Sequence, residues 1–338
     1  MKNSVYIIAE AGVNHNGSVD LALQLIDSAT DIGVDCIKFQ TFKANQIVTI
    51  DSPKAAYQLK VTSQTESQLE MLQKLELKYN DYLLLINRCK EKGIDFLSTP
   101  YNFEDVDFLV SLGVSGFKIA SGQLTELPFL KHVAKKKKKM IISTGMATLA
   151  EVFMAVQTIR DSGNEDIVVL QCTTNYPSET QDANLLAMVS ISNSCKVDVG
   201  YSDHTKTNYA CYASVALGAK IVEKHFTISK NMEGPDHSSS LEPDEFKELI
   251  LGIREVEKAL GNGLKTPTEA EKVNIYGMKR SMVAIVDLPS GTKIEKHHIG
   301  FKRPSNGLNP NYYENILGKK TSKEIRVDQP FQFNNIEW

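Results

Sequence analysis

The feature that most constrains this chain is a repeated rhythm: short apolar runs, each ending in polar residues, separated by stretches with helical spacing. Eight such runs, at 5–9, 36–39, 95–98, 116–119, 140–142, 167–170, 196–200 and 220–222, read as strands. Largely apolar character is what a strand buried on both faces requires. After the first run, Leu21, Leu25, Ile26 and Ala29 recur at helical spacing and the pattern stops at Gly33. Strand and helix alternating eight times make, by count and length, an α/β fold of the (β/α)8 TIM-barrel type. A doubly wound open sheet is the alternative, disfavoured because no glycine-rich dinucleotide fingerprint follows any run.

Two interruptions organise the rest. The stretch 42–66 is a long loop inside the alternation, and loops of that length in a compact domain usually serve function; helical spacing resumes over 69–89. After the last barrel helix, 242–260, a polar linker is expected over 261–279, and from 280 to 338 short β-like runs with frequent turns indicate a small separate β-rich domain. The barrel domain is therefore 1–260. The lysine run 135–139 reads as a solvated helix end before the fifth strand.

A net charge of −3 argues against nucleic-acid binding. No stretch is long and apolar enough to span a bilayer, and residues 1–4 lead straight into a strand with no room for a signal peptide. Five cysteines, odd in number, without a C-x-x-C pair and mostly in apolar runs, read as reduced core residues of a cytoplasmic protein.

The chemistry gathers where the runs end. Glu10, Lys38, Gln40, Thr99, Lys118, Ser121, Ser143, Thr174, Ser202, His204, Glu223 and His225 all fall at or just past a strand's C-terminal end, the end where barrel active sites lie. Lys38 and Lys118 sit in apolar surroundings, where an ammonium needs an anionic partner. With the hydroxyls of Ser121, Ser143 and Thr174 they suit a phosphate or carboxylate. His204 and His225 are too far apart in sequence for a local metal motif and can meet only on neighbouring strands; with Asp and Glu nearby they suit a divalent metal. Taken singly, each lysine reads as half of a structural ion pair and each histidine as a hydrogen-bonded strand end. Taken together they describe an anionic substrate beside a metal.

The blocks AEAGVNHNG at 9–17, KFQTF at 38–42, PKAAYQLK at 53–60 and ESQLEMLQKLE at 66–76 carry a resemblance. It continues through FLSTP at 96–100, FKIASG at 117–122, ISTGM at 142–146, YSDHT, EKHF and GPDH between 201 and 237, and KRPSNG at 302–307. Over essentially its whole length the chain resembles the N-acetylneuraminate (sialic acid) synthase family, which includes the legionaminic and pseudaminic acid synthases. The resemblance implies a phosphoenolpyruvate-binding barrel followed by an antifreeze-like (SAF) domain. It implies metal-dependent condensation of phosphoenolpyruvate with an open-chain N-acetylmannosamine-type sugar, or with a 2,4-diacetamido-trideoxyhexose, giving a nonulosonic acid and phosphate.

By that resemblance His204 and His225 hold a manganese or magnesium ion. Lys38, Thr99, Lys118, Ser121, Ser143 and Ser202, joined by the Thr174 hydroxyl, hold phosphoenolpyruvate. Glu10, Gln40, Gln123, Tyr176, Asp236 and Arg303 meet the sugar, Arg303 from the SAF domain of a partner in a swapped homodimer. Glu10, Lys118, Glu223 and Asp236 are the catalytic candidates, with Glu10 or Glu223 handling the protons of the attacking water. Many relatives carry a glutamate where this chain has Gln123, and an amide cannot exchange a proton there. The competing readings are a Schiff-base aldolase using Lys118 and a non-catalytic sugar-phosphate-binding barrel.

Overall fold

The structure, a computed structural model, describes residues 4–55, 58–63 and 65–338, with Lys60 and Val61 as backbone alone. Ala56 and Tyr57 of the PKAAYQLK block, Gln64 of the long loop, and residues 1–3 of the N-terminal segment lie outside the described residues. The chain divides into two compact units, Met1–Gly261 and Asn262–Trp338.

Eight parallel strands build the first unit: β1 (Tyr6–Gly12), β2 (Cys36–Thr41), β3 (Asp95–Pro100), β4 (Gly116–Ile119), β5 (Lys139–Ser143), β6 (Ile167–Cys172), β7 (Asp198–Asp203) and β8 (Ile221–His225). They are laddered in the order β3-β2-β1-β8-β7-β6-β5-β4, and β3 lies against β4 to close the ring. Helices between the strands cover the outside, as in a TIM barrel.

Side chains alternate between the two faces of each strand, and that alternation sorts the core. Outward residues such as Ile7, Ile37, Phe117, Ile142, Val169 and Val222 join the large core under the helices. Inward residues Ile8, Cys36, Leu97, Ile141, Leu170 and Ile221 fill the lower barrel as a separate apolar plug. Two positions further along the same inward columns stand Glu10, Lys38, Thr99, Ser143, Cys172 and Glu223. Each column therefore runs from apolar to polar as it climbs.

The strands run longer than the apolar runs suggest. β1 continues to Gly12, β2 to Thr41, β7 to Asp203 and β8 to His225. The reason is that apolar character stops where the plug stops, whereas the backbone ladder goes on through the polar layer: Glu10 is paired with His225, and Ser202 with Glu223. The helical spacing over 69–89 is two helices: Gln68–Lys74, opened by a capping box between Ser67 and Glu70, and Tyr79–Lys92, where Asp81 accepts from Lys78 N–H. No helix among the described residues is long and apolar enough to cross a membrane.

The second unit is built around the antiparallel pair β9 (Ser281–Ala284) and β10 (Ile299–Lys302). Met282, Ala284, Leu288, Ile294, Ile299, Leu308, Ile316, Ile325, Phe331 and Ile336 form its own small core. Within the stretch expected as linker, Glu269–Met278 is a helix with a capping box at Thr268 and no buried residue. Its intrinsic start signal is strong, but it has no apolar stripe for a sequence pattern to reveal.

Candidate active site

A cavity of about 500 Å³ opens at the C-terminal end of the barrel and receives residues from all eight strands or the turns just past them. Glu10 reaches it through a bulge: β1 shifts register against β2 between Glu10 and Gly12. Gly12 has φ +53° there, and a Cβ would stand 3.1 Å from Glu10 Oε1, so the turn favours glycine on both counts. Gln40 Nε2 donates to Glu10 Oε1 at 3.2 Å, and Tyr101 OH donates to Gln40 Oε1 at 3.3 Å.

Across the floor runs a buried row of alternating charge. Lys38 Nζ lies 2.7 Å from Glu10 Oε2 and 3.6 Å from Glu223 Oε2, and Lys118 Nζ lies 3.3 Å from Glu223 Oε1. Ser202 Oγ donates to Glu223 Oε1 at 3.0 Å, and Lys38 Nζ to Thr99 Oγ1 at 3.4 Å. The anionic partners that the two lysines require are thus Glu10 and Glu223 themselves. Their environments separate the two carboxyls. Burial pushes Glu10 up, against the pull of Lys38 and with a further push from Glu223. Burial acts the same way on Glu223, but Lys118 and Lys38 flank it and hold it well below the usual carboxylate range. Burial lowers Lys118, opposed by Glu223.

The hydroxyls converge from three turns. Gly145 N–H donates to Ser121 Oγ at 2.9 Å, and a Cβ on Gly145 would fall 2.0 Å from Thr174 Oγ1. The turns after β4, β5 and β6 are packed backbone against hydroxyl, with no room for a side chain. Ser143 Oγ is buried and has no partner among the described residues. A buried hydroxyl left unpaired is costly, and an anionic ligand beside Lys118 would supply the missing acceptor.

His204 and His225 do meet on neighbouring strands, with ring centroids 5.4 Å apart. Tyr176 packs on both, 4.1 Å from the ring of His204 and edge-on to His225 at 5.5 Å. His204 Nδ1 lies 2.7 Å from the Thr173 carbonyl oxygen. A carbonyl only accepts, so Nδ1 carries a proton, and in the neutral ring that a metal ligand must be, Nε2 keeps its lone pair. His225 Nδ1 is buried without a partner among the described residues. Burial, and after it His204, keep His225 neutral to well below the usual range. Two imidazoles with free nitrogens fit a divalent metal. Among the described residues no group of three or more His, Cys, Asp or Glu is placed to hold a metal, so oxygens of substrate or water would complete the coordination. Asp236 lines the same cavity, its carboxyl pushed up to about 6 by burial against the pull of His204 and Lys38.

Every site residue expected in the barrel lines this cavity, and two placements qualify the expectations. Gln123 is buried and its polar atoms are taken by backbone: Nε2 donates to the carbonyls of Pro100 at 3.2 Å and Tyr101 at 3.3 Å, and Oε1 accepts from Ala120 N–H at 3.4 Å. Arg303 belongs to the second unit, exposed just past β10.

Cys172, expected in the core with the other cysteines, instead lines the cavity with Sγ 3.9 Å from His204 Nδ1. Its place two residues beyond Leu170 on an inward column is the sequence signal for that position. One wall is apolar, from Val13, Phe42, Met71 and Leu75, which form a small cluster of their own. These come from connections rather than strands, where no periodicity marks an inward face.

Residues 25–265 match the NeuB family and residues 279–337 the SAF domain. The chain is 47% identical to the N,N'-diacetyllegionaminic acid synthase of Campylobacter jejuni, over 96% of this chain and 97% of that protein. It is 41% identical to the N,N'-diacetyllegionaminic acid synthase of Legionella pneumophila, over 98% of this chain and 94% of that one. Among solved structures it resembles the N-acetylneuraminic acid (sialic acid) synthetase of Leptospira borgpetersenii in complex with citrate, with 32% identity and a TM-score of 0.71, covering 81% of this chain and 90% of that chain.

Proposed function

The chain belongs to the NeuB family, and from that premise we propose that it condenses phosphoenolpyruvate with the aldehyde of an open-chain N-acylated amino hexose, giving a nonulosonic acid and phosphate. The observation that carries this reading is the buried row of Glu10, Lys38, Glu223 and Lys118 lying beside two imidazoles with free nitrogens. Lys38 and Lys118 hold the carboxylate and phosphate of phosphoenolpyruvate, with Thr99, Ser121, Ser143, Thr174 and Ser202 as hydroxyl partners. Holding its terminal carbon against the aldehyde removes much of the entropic barrier. A manganese or magnesium ion held by His204 and His225 would, when bound, polarise the aldehyde oxygen as a Lewis acid.

Carbon–carbon bond formation leaves positive character at the carbon bearing the phosphate. Water adds there, and phosphate leaves by carbon–oxygen cleavage. Of the two carboxylates in reach, Glu10 is the one we assign to the water's protons, because burial raises it toward the working pH while Glu223 stays ionised. Glu223 then serves as the fixed anion that keeps both lysines in place. Asp236, Gln40 and Tyr176 face the sugar.

Both relatives compared above are named for a product with two acetyl groups. That favours a 2,4-diacetamido-trideoxyhexose over N-acetylmannosamine as the natural sugar. We place the enzyme in the cytoplasm, and we propose that it works as a homodimer with exchanged SAF domains, Arg303 of each chain reaching the sugar of the other.

The test is phosphate release on mixing the protein with phosphoenolpyruvate and each sugar, with and without a chelator. Release that needs both substrates and stops in chelator is the expected result. The diacetamido sugar should lead in kcat/KM by about 10–200-fold, the range that small substituents in a pocket command. The lowered pKa of Lys118 favours one rival, a Schiff-base aldolase. Chelator-resistant turnover with a borohydride-trapped adduct on Lys118 would establish that rival instead.

A further inference from the structure

Two charged residues inside the signature blocks have no place in the cavity. Alternate side chains on β7 and β8 face opposite sides of the sheet. Ser202, His204, Glu223 and His225 line the cavity, whereas Asp203 and Lys224 point outward, toward the helix Tyr209–Ala216. There Cys211 Sγ donates to Asp203 Oδ2 at 3.1 Å. Asp203 and Lys224 stand opposite each other in the β7–β8 register and form an ion pair, 1% and 2% exposed.

The pair is fully used. Asp203 Oδ1 accepts from Thr205 N–H at 2.8 Å and from Tyr201 OH at 3.1 Å. Lys224 Nζ, after its bond to Asp203, donates to the carbonyls of Thr205 at 2.7 Å and Thr207 at 3.2 Å. All three ammonium hydrogens are spoken for. One side chain on β8 therefore grips the end of β7 and also the turn that carries His204.

A buried ion pair is a poor source of stability, since well-packed apolar side chains in the same space often do as well or better. What it supplies is direction. This one lies between the residues that precede His204 and His225 in sequence, on the reverse side of the same two strand ends. We propose that Asp203 and Lys224 are positioning residues that fix the separation and aim of His204 and His225, and thereby set the affinity for a divalent metal. The proposal rests on the metal reading given above.

The experiment measures Mn(II) binding to metal-stripped, substrate-free protein, from the signal of free Mn(II) in electron paramagnetic resonance. Asp203→Asn combined with Lys224→Gln removes both charges and leaves polar side chains of nearly the same bulk. It should bind Mn(II) about 10–100-fold more weakly, the usual loss when a partner behind the ligands is changed. Lys224→Arg, which keeps the charge, should recover most of that affinity. Ile159→Ala opens a hole in the outer core; it should lower the urea midpoint and leave Mn(II) binding at the wild-type level. If the double variant aggregates, Asp203→Asn with Lys224→Met, which likewise leaves no buried charge unpaired, gives the same readout. Unchanged affinity in the charge-removed variants, or an equal loss in Ile159→Ala, overturns the proposal. Wild-type protein that binds no Mn(II) overturns the metal reading beneath it, a separate and recognisable failure.

Discussion

Gln123 illustrates how much one atom decides. Its carboxamide gives its hydrogens to the carbonyls of Pro100 and Tyr101, so it ties β3 to the turn after β4. A carboxylate in its place would meet two carbonyl oxygens with no proton to offer. Gln123→Glu is expected to cost about 1–3 kcal/mol at neutral pH, the usual price of a buried polar group left unpaired. The new carboxyl's folded pKa would lie above its unfolded value of about 4.3. The loss is therefore small below about 4.3, grows as the pH rises through the raised pKa, and is complete above it. Urea midpoints of the variant and the wild type between pH 4 and 7 should diverge in that sense. A gap that stays flat across the window would mean that the carboxylate has swung into the cavity and reads the sugar after all.

At the scale of elements, the turn after β5 is the most constrained part of the site. Gly145 brings its backbone against Ser121 and Thr174, with a would-be Cβ 2.0 Å from Thr174 Oγ1. Gly145→Ala must push two hydroxyl-bearing turns apart. Misplacement by about 1 Å can cost on the order of a hundredfold. We expect a rise in KM for phosphoenolpyruvate and a fall in kcat, with KM for the sugar little changed; initial-rate kinetics in both substrates would measure it. A sugar KM that rose as much as that for phosphoenolpyruvate would place these hydroxyls elsewhere. The elements also explain what could be read in advance. All eight strands were legible because a doubly buried strand writes a largely apolar run, and Lys38 and Lys118 stood out inside those runs. His204 and His225 needed the barrel to bring them together, and the number and order of strands supplied it. The apolar wall of Val13, Phe42, Met71 and Leu75 was not legible, since its members come from connections whose path follows no period. Nor was the backward-facing pair of Asp203 and Lys224: strand ends look alike in sequence whether a side chain faces cavity or helix.

Two expectations belong to the molecule as a whole. His15 and His237 are buried imidazoles, each held down to about 4 by burial, His15 also by its neighbour His237. In the unfolded chain both take up protons near 6.5, so stability is whole above that value and is lost as the pH falls toward 4. The loss should reach a few kcal/mol for each histidine, at about 1.4 kcal/mol for each unit of displacement. His15→Asn, whose amide oxygen can still accept from Gly17 N–H, should flatten the fall of the urea midpoint between pH 6.5 and 4; a slope identical to wild type would remove His15 from the account. The proposed exchange of SAF domains between two chains makes its own forecast. Lys118→Ala and Arg303→Ala proteins, each inactive, should recover about a quarter of wild-type activity when mixed equally and allowed to exchange, because half the dimers then hold one intact site of two. No recovery after demonstrated exchange would mean that each chain closes its own site. Finally, β1 is laddered to β8, and Glu10 stands level with His225. The first strand of the barrel to be made is thus completed by its last, and at about 5–20 residues per second it waits for tens of seconds with one backbone edge unpaired. Nascent or truncated chains that stop short of β8 would hold every residue of the phosphoenolpyruvate clamp together with Glu10 and His204, but would lack Glu223 and His225, so catalysis waits until the last strand of the barrel has been made.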